Sequence, residues 1–105
     1  MNFPLKLPFT LYITREDILE GTPCESRTCP TALSLHRRFG PKSRIRVGYK
    51  KTDIYQYDEK DNLKCHWLIR HPQKLIDWIV EYDKDNAEMP KPIRIKITNI
   101  QEELF

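Results

Sequence analysis

Residues 9–14, FTLYIT, alternate apolar with polar positions and are rich in aromatic and β-branched side chains, which predicts a strand. The pattern then changes. Thr14 before Arg-Glu-Asp, with Asp17 three positions on as its capping partner and Gly21 as terminator, predicts a short helix over 15–20, to which Ile18 and Leu19 give the apolar side. Residues 21–28, GTPCESRT, are turn-forming. A second helix is expected over 30–39: Pro30 suits a first helical position because its missing N–H has no partner to lose, and Cys29 becomes the N-cap. Ala32, Leu33, Leu35, His36 and Phe39 would form its buried stripe, Arg37 and Arg38 sit where cations favour the dipole, and Gly40-Pro41 stop it.

The second half is richer in strands. Residues 44–49, RIRVGY, set Arg44, Arg46 and Gly48 against Ile45, Val47 and Tyr49, a half-buried strand with a basic outer face. DIYQY (53–57) and LKCHWLI (63–69) flank a polar stretch ending in Asp61-Asn62 and read as a hairpin. Pro72 opens a helix over 72–84 with Leu75, Ile76, Ile79 and Tyr82 on one side. A polar linker, 83–92, carries two prolines and leads to IRIKIT (93–98), whose isoleucines alternate with Arg94, Lys96 and Thr98. The order β-α-α-β-β-β-α-β has no repeating β-α unit, so the expected class is α+β. We expect a single domain spanning residues 1–105, with a small, mostly antiparallel sheet of about four to five strands and three short helices against one face.

Composition changes this picture in two places. No apolar run approaches the length of a membrane span. Pro4 and Pro8 break the opening segment, which argues against a signal peptide. Three cysteines, an odd number, then point to a reducing, cytoplasmic compartment. The net charge is only +3, but no acidic residue lies between Glu25 and Asp53, a window holding eight basic residues. The rest of the chain has ten basic against fifteen acidic residues. Such asymmetry implies an anionic partner at that window.

Four groups of residues carry candidate chemistry. Cys29, at a helix N-terminus, could be activated by the dipole, but His36 lies two turns along the same helix, too far to pair with it, which leaves only His66 and His71 on other elements as bases; the motif itself lacks partners, so the cysteine reads as a cap or a buried plug. Cys24, Cys29, His36, Cys65 and His66 could contribute metal ligands, yet Cys24-x4-Cys29 is loose for zinc and Cys65 and His66 point to opposite faces of a strand. No metal or cofactor is expected, no catalytic residue is assigned, and the chain is not expected to be an enzyme. A Cys24–Cys29 disulfide is geometrically feasible but disfavoured by compartment. The basic window is the strongest candidate: Arg37, Arg38, Lys42, Arg44, Arg46, Lys50 and Lys51 would converge on an acidic protein surface, a nucleic acid or a nucleotide, with Tyr49, Tyr55, Tyr57 and Trp67 available to stack on bases. Strand edges also leave room for a homodimer.

The fourth group is QEELF, residues 101–105, which resembles the Q-x-x-L-F peptide by which phage and bacterial replication proteins dock on the sliding clamp. There Gln101 would supply an amide contact and Leu104 and Phe105 would enter a groove. The competing reading is that Leu104 and Phe105 pack back onto the domain.

TREDILEG (14–21), CPTALSL (29–35) and HPQKLIDWIVEYDKDNAEMPKPIRIKI (71–97) together resemble a group of small phage- and prophage-borne proteins of unassigned function. The resemblance carries over no activity. It implies an origin in mobile elements and action in an infected or lysogenic host cell. There the expected role is a non-enzymatic binding protein that interferes with host defence, as small anti-CRISPR-like inhibitors do. The alternatives are a nucleic-acid-binding replication accessory tethered to the clamp, or a nucleotide-sequestering protein.

Overall fold

A computed structural model of the chain describes residues 7–84 and 90–103. Its elements are β1 (Phe9–Ile13), α1 (Arg15–Glu20), α2 (Pro30–Phe39), β2 (Ser43–Val47), β3 (Lys51–Tyr57), β4 (Leu63–Arg70), α3 (Gln73–Asp83), β5 (Ile93–Ile97) and β6 (Ile100–Glu103). The mixed α+β class and the antiparallel pairing agree with the sequence. Two features differ. The strands form two sheets, β1-β5 and β2-β3-β4-β6, rather than one. A further strand, β6, is made by IQEE, whose polar sequence gives no strand signal of its own and which is held by pairing with β4 from His66–Glu103 to Ile69–Ile100.

Local chemistry explains the helix ends. The Thr14 hydroxyl accepts from the Asp17 N–H and the Asp17 carboxylate accepts from the Thr14 N–H at 2.8 Å, a reciprocal capping box. Gly21 ends α1 at a point of close approach: a Cβ there would meet Pro30 Cδ at 2.6 Å and Asp17 O at 2.7 Å. Cys29 is the N-cap of α2 with Pro30 behind it, but its sulfur makes no capping bond. Gly40 closes α2 at φ 83°, a conformation open to glycine.

The buried faces of α2 and α3 are rotated slightly from the sequence expectation. On α2, Thr31, Ala32, Ser34 and Leu35 are buried, while Leu33, His36 and Phe39 are half-buried. Ser34 tolerates burial because its hydroxyl donates to Thr31 O at 2.7 Å. On α3, Trp78 joins Leu75, Ile79 and Tyr82, and Ile76 is half-buried. Both helices contribute to one continuous core with Phe9, Leu11 and Ile13 of β1, Ile95 and Ile97 of β5, and the inner face of the larger sheet: Ile45, Val47, Ile54, Cys65, Trp67 and Ile69. The two sheets are thus joined by a shared core rather than by hydrogen bonds between strands.

Candidate anion-binding face

Alternation along β2, β3 and β4 decides which side chains face water. Arg44 pairs with Tyr55 and Arg46 with Asp53 across β2-β3; Tyr55 pairs with His66 across β3-β4. Directly opposed residues share a face, so Arg44, Arg46, Asp53, Tyr55 and His66 form the outer surface. Lys51, opposite Arg70, extends it. Tyr57 joins at the other end, where the register shifts between Gln56 and Tyr57.

This surface has a built geometry. The Arg44 guanidinium lies 5.3 Å from the centre of the Tyr57 ring, a cation–π contact. Tyr55 stacks on His66 with centroids 4.2 Å apart and planes 19° apart. His66 Nε2 donates to Asp53 Oδ1 at 2.8 Å, fixing the imidazole beneath the tyrosine. Although Arg46 is opposite Asp53, no ion pair forms between them among the described residues. A depression of about 210 Å³ is lined by Arg27, Arg44, Ile45, Arg46, Tyr55 and Tyr57. Arg27 reaches it because the preceding loop is docked on the edge of β2, where Ser26 O accepts from Val47 N–H at 2.9 Å.

The sequence-predicted residues divide accordingly. Arg44, Arg46, Lys51, Tyr55 and Tyr57 lie on the common face. Arg37 does not: it forms a two-pronged ion pair with buried Asp17 and donates to Tyr12 O. Arg38 lies 5.6 Å over the Phe9 ring, on the β1 side. Lys42 pairs with Asp61 at 2.8 Å in an exposed contact. Lys50 is exposed in the β2–β3 turn, where its carbonyl accepts from His71 N–H. Trp67 is 4% exposed on the inner face and donates to Gln56 Oε1 at 2.7 Å, so it cannot stack on a ligand. Tyr49 belongs to another surface, beside Asp83. The expectation of one patch made from all seven basic residues and four aromatics is therefore corrected to a smaller set, with Arg27 and His66 added. Alternation held the signal for two of these differences: in LKCHWLI, Trp67 shares parity with Cys65 and Ile69, and His66 with Lys64.

The other candidates are also placed. The three cysteines are free thiols; Cys24 is exposed, Cys29 and Cys65 are buried. Burial pushes the Cys29 thiol up, outweighing the lowering pull of the Thr31 and Ala32 amides, so its reactivity is suppressed. Cys65 is raised by burial as well. Among the described residues no group of three or more His, Cys, Asp or Glu is arranged to hold a metal ion. Gln101 lies within β6 opposite Leu68, its backbone committed to a sheet rather than to a free peptide; Leu104 and Phe105 fall outside the described residues. No described helix is long and apolar enough to cross a membrane.

No protein-family model, curated protein or solved structure matches the chain.

Proposed function

We infer that the protein is a non-enzymatic binding protein that takes single-stranded nucleic acid on the outer face of β2, β3 and β4. The observation that carries this reading is the arginine-lined depression floored by Tyr55 and Tyr57. Arginines that make no ion pair among the described residues attract phosphates, and the half-buried rings of Tyr55 and Tyr57 on the sheet give bases a stacking surface. A flat sheet face suits splayed bases better than a duplex, whose bases are already stacked. In the phage setting implied by the sequence resemblance, occupying a nucleic acid is a means by which a small protein obstructs a host machine.

The test is anisotropy with a labelled oligothymidylate, with polyphosphate as a base-free competitor. With Arg27, Arg44 and Arg46 each meeting one phosphate, the logarithmic salt slope should be about −2, from roughly 0.7 per contact on single strands. Arg44→Glu with Arg46→Glu should abolish binding while the circular dichroism spectrum is unchanged. Tyr55→Ala should weaken the oligonucleotide by about tenfold and polyphosphate little, since stacking is worth about 1–3 kcal/mol per base. Retention of full oligonucleotide affinity by the double reversal would sink the reading.

A further inference from the structure

A second concavity lies beyond the Cys24–Ser26 loop from the arginine depression, and its chemistry is opposite. It has a volume of about 130 Å³ and is walled by the N-terminal end of α2, the last two turns of α3, the end of β2 and that loop. Three aromatic residues line it: Tyr49, Trp78 and Tyr82. Trp78 and Tyr82 are parallel neighbours, 5.5 Å between centroids, held by Trp78 Nε1 donating to Lys91 O and by the Tyr82 hydroxyl reaching Ile18 O and Gly21 O. These bonds fix the inner wall. Tyr49 is half-exposed at the rim.

The charged lining residues are Glu25 and Asp83, both acidic; no lysine, arginine or histidine lines the hollow among the described residues. Asp83 is anchored, accepting the Cys24 N–H on Oδ1 at 2.9 Å, and its charge is the main cause that pushes the Tyr49 hydroxyl's pKa up. Two helix ends also meet here. The N-terminus of α2 brings about half a positive charge and the C-terminus of α3 about half a negative one. These offset each other, so the two carboxylates set the sign. The wall also contains Thr31, whose buried hydroxyl oxygen has no hydrogen-bond partner among the described residues.

Aromatic rings beside carboxylates, in a hollow too small for a polymer, favour a compact and weakly hydrated cation. An apolar cavity of about 150 Å³ admits one benzene-sized molecule, and a trimethylammonium head is of similar bulk. We propose that this hollow is a binding site for a small methylated ammonium ligand, seated against Tyr49, Trp78 and Tyr82 and balanced by Asp83 and Glu25. The site shares no residue with the arginine face and stands or falls independently of it.

Choline and its uncharged carbon isostere, 3,3-dimethylbutan-1-ol, differ at the quaternary centre and not in shape. Each is titrated into the whole chain at fixed ionic strength while amide and indole NMR signals are followed. Choline should shift Gly48, Tyr49, Asp83 and the Trp78 indole saturably, and the isostere should bind about tenfold more weakly. Asp83→Asn retains an oxygen for the Cys24 N–H and should weaken choline several-fold while leaving the isostere unchanged. Equal binding of the two ligands, unaltered choline binding in Asp83→Asn, or no saturable shift with choline would each overturn the proposal.

Discussion

Arg37 and Arg46 both lie in the acid-free window, yet their side chains meet different surroundings. Arg37 meets Asp17, whose residue is 3% exposed and whose carboxylate also accepts the Thr14 N–H. Burial alone would raise the Asp17 pKa; the hydrogen bonds from Arg37 and Thr14 outweigh it, and the carboxyl is held below its ordinary value. A carboxylate with a lowered folded pKa contributes stability above the unfolded value near 3.8 and loses it as pH falls through the folded one. Arg37→Gln should therefore lower stability at neutral pH by about 1 kcal/mol once the half-exposed guanidinium is discounted for screening, read as a lower melting temperature. It should leave oligonucleotide affinity within twofold. Arg46→Gln should do the reverse, and thermal melts beside anisotropy would separate the two. Much at this scale was legible: the Thr14–Asp17 capping box, Cys29 ahead of Pro30 and the stop at Gly40 are local, and sequence neighbours decide them. The partner of Arg37 was not legible, because Asp17 meets it only when α1 packs on α2.

At the scale of elements, the junctions carry the polar groups that the hydrophobic pattern does not foresee. His71, between β4 and α3, is buried and bridges two segments: its Nδ1–H donates to Tyr49 O at 2.8 Å and its Nε2 accepts from the Thr52 hydroxyl at 2.6 Å. The carbonyl can only accept, so the tautomer is fixed with the proton on Nδ1. Burial depresses the pKa of this neutral ring, with the Tyr49 carbonyl opposing in part. The unfolded chain then binds a proton at higher pH than the folded one. The His71 contribution is complete above the unfolded value near 6.5 and is lost as pH falls through the lower folded value, each unit of depression amounting to about 1.4 kcal/mol. Urea midpoints at pH 7.5 and pH 5 should fall for the natural chain. In His71→Asn, which keeps the donor to Tyr49, the pH 7.5 midpoint should be lower but the dependence flatter. An equal fall in both proteins would assign the pH sensitivity elsewhere. The Asp17 window opens at more acidic pH, below about 3.8. Element bounds themselves were readable to within a residue or two, since periodicity and turn residues are local. Tyr49 misled because its parity with Ile45 and Val47 continues beyond Val47, where β2 ends and the chain turns under His71.

For the whole molecule, pairing partners are the information that a single sequence holds least well. Alternation told which side chains of most strands are inward, but not that Leu68 is buried at the outward parity of His66, that β1 and β5 pair apart from the other four strands or that IQEE adds to β4. The last four-residue strand is where the distinction has consequences. β6 covers the edge of β4 along His66–Ile69, a segment containing buried Trp67, Leu68 and Ile69, and it lays half-buried Ile100 against the core. An uncovered edge of this composition is a template for pairing with another chain. Deleting residues 100–105 should cost about 2 kcal/mol or more, from the lost apolar burial and ladder bonds, and should shift the protein toward larger species in size-exclusion chromatography. Deleting only 104–105 leaves β6 intact and isolates the Leu-Phe half of the clamp-like motif. If the longer deletion preserved both melting temperature and elution volume, residues 100–103 would be a detachable peptide and not a strand of the fold. If, as expected, only the longer deletion destabilises, then any clamp contact through Gln101 must compete with the ladder to β4. The face proposed to take nucleic acid and the fold-completing strand belong to one sheet: β6 secures β4, and β4 holds His66 beneath Tyr55.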